Sequence, residues 1–302
     1  MSRFAGAWPT MITPFDAQMR IDRSVYREMI SWYLNRGVGG LYANCLSSEM
    51  FHLEPDERLQ LATDAVVAAN GRVPVAATGN LGDTLAEHLS ACQQMADAGV
   101  DVVMLVVPNW IATDSELERY LMEVAGKIQA PLGLYECPVP KSYHLGIDLI
   151  AKLARTGKFV AFKETSCDLE KIHQILQVTQ GTPLALLQAN TPYLLEAIRA
   201  GCPGTMSIAT IWLPDLVAGV INAAAAGDPL AESRHAQLCA LEMVQRVVHP
   251  LGTKYLLAKR GLPIALRSRS VSNSLPAEVL HALDSCAGLW FDRHGNLKPG
   301  IL

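Results

Sequence analysis

Lys163 lies inside the run Phe159-Val160-Ala161-Phe162-Lys163-Glu164-Thr165-Ser166, which is otherwise the pattern of a buried strand. Burial disfavours the ammonium form and lowers a lysine pKa, and a neutral amine is a nucleophile. The position therefore suggests attack on a carbonyl to form a Schiff base. The plain alternative is a lysine at a strand end paired with a nearby carboxylate. A Schiff-base enzyme also needs a proton shuttle and an anchor for the substrate carboxylate. Tyr135 lies near the end of the preceding candidate strand, and a phenol beside a cationic iminium has a lowered pKa and can pass protons both ways. Ser47-Ser48 follow another strand, and two hydroxyls with successive backbone N–H groups in a tight turn make an anion nest. Each also has an ordinary reading, a core tyrosine and a polar loop.

These residues need a scaffold, and the chain supplies a repeating one. Strand patterns occur at 6–10, 40–45, 73–78, 100–107, 131–136, 159–164, 183–188 and 204–208, separated by amphipathic helical stretches. Helix starts are legible at Asp22, Pro55-Asp56-Glu57, Asp83-Thr84 and the capping box Thr113-Asp114-Ser115-Glu116. Gly37, Gly71 and Gly99 mark helix ends. This alternation predicts an α/β fold, a (β/α)8 TIM barrel over 1–227 with a C-terminal helical extension over 228–302. A doubly wound sheet fits less well, because no glycine-rich phosphate turn follows the first strand. Gly37-Val38-Gly39-Gly40 precedes a strand and is no dinucleotide fingerprint. No cofactor is expected.

Strand parity sharpens the chemistry. If Lys163 points into the barrel, so do Ala161 and Thr165, while Val160 and Phe162 face the helices. On the preceding strand Gly133 and Tyr135 share the inner face, and Leu132 and Leu134 the outer one. Active sites of such barrels lie at the C-terminal strand ends, where both Lys163 and Tyr135 fall.

Composition excludes several classes. Of 302 residues half are hydrophobic, ample for a full core, and the net charge of −4 is scattered. Without a basic run, neither nucleic acid nor an acidic membrane surface is an expected partner. No stretch reads as a membrane span or signal peptide, and the expected location is cytoplasmic. Seven widely spaced cysteines read as reduced thiols, with Cys45 and Cys137 near strand ends. The eight histidines fall mostly in helices and tails, so no metal site is expected.

Four motifs in order, Thr13-Pro14-Phe15, Ser47-Ser48-Glu49, Tyr135-Glu136-Cys137-Pro138 and Phe162-Lys163-Glu164-Thr165, together with Gly201–Ile208, resemble the dihydrodipicolinate synthase/N-acetylneuraminate lyase family over nearly the whole chain. The resemblance implies pyruvate-type class I aldolase or dehydratase chemistry in a barrel, usually a homotetramer. It implies Lys163 as the Schiff-base lysine, Tyr135 as the proton shuttle and the Ser47-Ser48 turn as the holder of a 2-oxo acid carboxylate. A backbone carbonyl around Met206 would orient the active centre.

The departures are equally informative. The synthases carry Gly-Thr-Thr-Gly-Glu where this chain has Cys45-Leu46-Ser47-Ser48-Glu49, so a relay threonine is replaced by Leu46, which cannot pass a proton. Pro108-Asn109-Trp110 stands in place of Pro-Tyr-Tyr; Trp110 can shape a substrate pocket but is no phenol. Where an arginine holds the second substrate's carboxylate, this chain has Val139-Pro140-Lys141; Lys141 reads either as a shifted anion ligand or as a surface charge. The expected function is thus a Schiff-base lyase acting on pyruvate or a pyruvate-derived small-molecule 2-oxo acid, by aldol cleavage, condensation or dehydration. The alternatives are a genuine 4-hydroxy-tetrahydrodipicolinate synthase, a degenerate carboxylate-binding protein and, more remotely, a metal-dependent hydrolase.

Overall fold

Short apolar runs between glycine and polar turns become strands, and the amphipathic stretches between them become helices. The computed structural model describes residues 3–301. The order is β1 (Gly6–Ala7), α1 (Arg23–Leu34), β2 (Leu41–Ala43), α2 (Pro55–Ala69), β3 (Val75–Thr78), α3 (Leu85–Asp97), β4 (Val102–Val106) and α4 (Asp114–Lys127). Then follow β5 (Leu132–Tyr135), α5 (Ile147–Arg155), β6 (Phe159–Glu164), α6 (Leu169–Thr179), β7 (Ala185–Gln188), α7 (Leu194–Arg199), β8 (Gly204–Thr205), α8 (Ala209–Trp212) and α9 (Pro214–Ala226). Three more helices follow: α10 (Leu230–Arg246), α11 (Leu251–Lys259) and α12 (Ala277–Trp290). The eight strands are parallel in the order β1-β8-β7-β6-β5-β4-β3-β2, and a parallel bridge between Thr10 and Tyr42 joins the two ends. This is a (β/α)8 TIM barrel.

Local chemistry explains the helix starts. Asp22 accepts from the N–H groups of Ser24 and Val25 to cap α1, and Thr84 and Thr113 form capping boxes with Glu87 and Glu116. β1 is shorter than its sequence pattern because Pro9 has no N–H for the ladder, which resumes where Met11 N–H reaches the Tyr42 carbonyl at 2.9 Å.

Inside and outside separate into two apolar clusters. Leu132, Leu134, Phe159 and Phe162 pack outward under the helices, while Trp8, Tyr42, Met104, Tyr135, Ala161 and Met206 fill the barrel. Large and small side chains alternate inside: a Cβ on Gly133 would collide with the Met104 sulfur, so β5 keeps glycine there. One parity expectation fails. Leu132 pairs with Phe159 but Gly133 pairs with Ala161, so Val160 is an extra residue at a β-bulge. Val160 therefore packs against the inner cluster rather than facing the helices.

The C-terminal helices are tied to the barrel by charge as well as packing. Arg260, after α11, is fully buried; its Nη1 donates to the Trp212 carbonyl at 2.6 Å and to Asp215 at 2.9 Å. The rings of Trp32 and Phe291 lie against the guanidinium, with centroids 4.9 and 5.0 Å away.

Candidate active site

β5 and β6 are in register so that Tyr135 pairs with Lys163 at the C-terminal mouth of the barrel. Both are buried. The Lys163 Nζ sits 4.3 Å from the Tyr135 ring centroid and 5.5 Å from that of Tyr42. Among the described residues no carboxylate lies within ion-pairing reach of it, so the paired-lysine alternative is not met. Two ring faces favour an ammonium by about 0.5–2 kcal/mol. Burial acts against it and prevails, so the Lys163 pKa is held below its ordinary value of 10.5.

The phenol shifts the other way. Burial pushes Tyr135 well above its ordinary value of 10, helped by the Cys137 thiol against it. The resting phenol is thus a proton donor. A cationic iminium beside it is what would bring the proton within reach of transfer. Cys137, also raised by burial, stays a neutral thiol. Tyr135 and Lys163 are steadied from outside the barrel by the buried Glu136. Its carboxylate accepts from Leu145 N–H at 2.9 Å, Thr165 N–H at 3.1 Å and Lys171 Nζ at 3.3 Å. Thr165 lies past the end of β6, and its hydroxyl donates to the Glu136 carbonyl at 2.8 Å.

Ser47 and Ser48 form one turn of 3-10 helix after β2 and take different parts. The Ser48 Oγ accepts from Cys45 N–H at 3.0 Å and donates to the Met11 carbonyl, so it shapes the turn. The Ser47 hydroxyl has no partner among the described residues and lines a cavity of about 420 Å³. One hydroxyl rather than two is therefore open to an anion. Glu49 ends the turn in the left-handed region at φ 61°. Its buried carboxylate accepts from Lys254 Nζ at 2.8 Å, Ser268 Oγ at 2.8 Å, Arg269 N–H at 2.7 Å and Ser270 N–H at 2.9 Å. Burial raises the Glu49 pKa, but Lys254, Ser268 and the Arg269 N–H together overcome it and hold the carboxyl below its ordinary value.

Met206 follows β8, buried in the inner cluster, and its N–H continues the ladder to the Gln188 carbonyl at 3.0 Å. Its own carbonyl has no partner among the described residues. Trp110 is not brought to this cavity. It is half-exposed, stacks on His88 at 5.0 Å and lines an adjacent cleft with Asn80 and Asp83. Lys141 is not in the cavity either: its Nζ donates to the Ile111 carbonyl at 3.0 Å.

Sequence reasoning passed over three groups. Tyr42, on β2, meets the Tyr135 ring edge-on at 6.0 Å and its hydroxyl bonds the Thr78 Oγ1 at 2.9 Å. Alternation on β2 could have found it. Ser207, next to Met206, has a buried hydroxyl without a partner among the described residues. His249, between α10 and α11, lines the Ser47 cavity and carries no local sequence signal.

Beside this geometry stands the comparison with known proteins. The model of the dihydrodipicolinate synthetase family matches residues 3–283. The chain belongs to this family. It is an enzyme of the class I aldolase/lyase type that characterises the family. A 4-hydroxy-tetrahydrodipicolinate synthase of Methanosarcina acetivorans is 32% identical over 226 residues, covering 74% of this chain and 77% of that protein. Crystal structures of dihydrodipicolinate synthases share the fold. That from Aquifex aeolicus superposes with a TM-score of 0.87 at 23% identity, over 95% of this chain and 98% of the other. That from Acinetobacter baumannii, complexed with pyruvate, gives 0.86 at 20% identity, over 94% and 99%. Among the described residues no helix is long and apolar enough to cross a membrane, and no three His, Cys, Asp or Glu side chains gather where they could hold a metal ion.

Proposed function

We propose that this member of the dihydrodipicolinate synthetase family binds pyruvate, or a 2-oxo acid built on it, as a Schiff base on Lys163. The observation that carries this is the buried amine against the Tyr135 ring, 4.3 Å from its centroid, without a counter-charge among the described residues. The neutral Nζ adds to the keto carbon, the departing oxygen takes one proton from that nitrogen and one from Tyr135, and water leaves to give the iminium. The iminium then acidifies the adjacent carbon and holds the enamine that makes or breaks the next bond. Ser47, with the backbone of its turn, holds the substrate carboxylate. The Met206 carbonyl faces the approach. The bond broken or made is carbon–carbon or carbon–oxygen, and a panel of 2-oxo acids with product analysis by mass spectrometry decides which.

The test is direct. The protein is incubated with pyruvate, reduced with borohydride and weighed intact. One adduct per chain, mapped to Lys163, is expected; no adduct at saturating pyruvate overturns the reading.

Genuine 4-hydroxy-tetrahydrodipicolinate synthase activity is the second reading, favoured by the names of the curated relatives. Leu46, Trp110 and the turned-away Lys141 weigh against it, because an aldehyde carrying its own carboxylate would meet neither relay nor cation. The unpaired state of all seven cysteines supports a cytoplasmic location. The family resemblance supports a homotetramer, which light scattering tests and a monomeric mass would exclude.

Two further results are expected. Tyr135→Phe forms the adduct about 100- to 10,000-fold more slowly, as removal of a positioned general acid predicts. Equal rates in the two proteins would remove the phenol from the mechanism. The rate of adduct formation rises with pH as Lys163 loses its proton and levels off below pH 10.5, because the pKa is depressed from that value. A midpoint at or above 10.5 would mean that burial does not keep the amine neutral.

A further inference from the structure

The cavity beside Ser47 has a wall whose chemistry the Schiff-base step does not use. Leu46, Phe51, Val139, Pro140, Pro250 and Val271 form most of it. Among the described residues no lysine or arginine lines it. The nearby cations are engaged elsewhere: Arg58 with the Leu53 carbonyl at 2.6 Å, Lys141 with Ile111, and Arg269 with Glu57 at 2.6 Å. The one carboxylate on the wall, Glu49, is neutralised by Lys254 and filled by three further donors. A second substrate with a carboxylate would lose its hydration here and find no counter-charge, which is costly.

The remaining polar groups are few. Ser47 is taken by the proposed carboxylate contact, His52 is exposed, and Ser270 is exposed with its hydroxyl bonded to the Ser268 Oγ at 3.1 Å. His249 is different. Its Nδ1 meets the Thr253 Oγ1 at 2.8 Å and the Gln245 Nε2 at 3.1 Å, while its buried Nε2 has no partner among the described residues. With the Gln245 amide oriented as a donor to Nδ1, the ring proton lies on Nε2. Burial, with Lys254 and Lys163 nearby, pushes the pKa down to about 4, so the ring is neutral at physiological pH. The wall thus offers a largely apolar surface and one neutral hydrogen-bonding imidazole.

We propose that this cavity binds the apolar tail of an aryl or alkyl aldehyde, which condenses with the Lys163-bound enamine, or of the 4-hydroxy-2-oxo acid that such a condensation yields. In the forward direction the enamine carbon forms a bond to the aldehyde carbon and the carbonyl π-bond breaks. The proton released from the pyruvate methyl group on enamine formation is returned to that oxygen, and water frees the product from Lys163. His249 Nε2 is the group assigned to hydrogen-bond the polar end of the aldehyde. The inference rests on the Schiff-base reading above for its chemistry, but the binding surface can be tested apart from it.

The experiment has three arms. Pyruvate trapping with borohydride reports the Schiff base alone. Pyruvate-loaded enzyme is then given benzaldehyde, succinic semialdehyde or glyceraldehyde at equal concentration; kcat/KM for benzaldehyde is expected to be about 100-fold higher than for the other two. Benzyl alcohol, which cannot react, is followed by saturation-transfer NMR. Val271 is 44% exposed, so Val271→Arg tests the wall without burying a charge. In that variant the ratio of benzaldehyde to succinic semialdehyde turnover should fall about tenfold or more, with benzyl alcohol transfer weakened. If no pyruvate adduct forms but benzyl alcohol still binds and V271R weakens it, the Schiff-base reading fails and the apolar site stands. Preference for succinic semialdehyde or glyceraldehyde by adduct-forming enzyme, or benzyl alcohol transfer that is absent or insensitive to V271R, overturns the proposal.

Discussion

Lys163→Ala leaves no borohydride-trapped pyruvate adduct, and Lys163→Met melts at a higher temperature than the parent. Both results follow from one fact. The amine is buried on the barrel axis side of β6, against the Tyr135 ring and without a carboxylate partner among the described residues. Loss of the adduct should be complete, because the nucleophile is the atom removed. The stability gain has the opposite origin. Burial costs free energy whenever the native amine must be either charged in a dry site or neutral at a pH where the unfolded lysine is charged. Methionine has similar length and no charge to desolvate. The sign of the pH dependence is fixed by the depressed pKa. Between the native value and 10.5 the unfolded chain holds a proton that the native chain does not, so parent stability rises with pH through that window. The advantage of Lys163→Met is therefore largest below the native pKa and fades towards pH 10.5. Each kcal/mol corresponds to about 2–4 °C in Tm. Calorimetry of both proteins across pH checks this; a lower Tm for Lys163→Met at neutral pH would mean that the amine is satisfied in the fold.

Glu49→Ala loses on the order of 10 °C in Tm, the largest stability effect expected of any single substitution at the mouth. Lys254 is fully buried, and Glu49 is its only carboxylate partner among the described residues. Truncating one member of a buried pair leaves an uncompensated charge, costing about 3–5 kcal/mol. Three further donors, from Ser268, Arg269 and Ser270, also lose their acceptor. The sharper test is the double change. Lys254→Met in the Glu49→Gln background should recover a substantial part of the loss, because the orphaned charge disappears while an amide acceptor remains. Additive losses would show that the pair acts independently. Glu49 also ends the Ser47 turn with a left-handed backbone, so Glu49→Gln should raise the KM for pyruvate more than it lowers kcat.

The alternation of strand and helix patterns made the barrel legible, and parity along β5 and β6 assigned Tyr135 and Lys163 to one face. Those inferences work because side-chain direction in a strand is set by the backbone, residue by residue. Val160 was misread for the same reason: a single inserted residue resets the alternation, and nothing in the apolar run Phe159–Phe162 announces the bulge. The Ser47-Ser48 turn was found as a turn, yet which hydroxyl stays open depended on Met11 and Cys45, contributed by other parts of the mouth. Trp110 was read as pocket-lining from the family motif it replaces, while His88 and Tyr120 draw it into a neighbouring cleft.

What the amino-acid order alone determined is the repeating architecture and the two chemical groups at adjacent strand ends, which are local properties of composition and period. The replaced threonine, tyrosine and arginine are departures that only the family resemblance brings out. The tertiary structure decided how the chemical groups behave. Lysine becomes a nucleophile only through the burial that surrounding strands impose, and Glu49 becomes a structural anchor only because Lys254, 205 positions away, is folded against it. His249 joins the cavity in the same way. Charge and solvation depend on neighbours in space, and those neighbours come from distant parts of the chain.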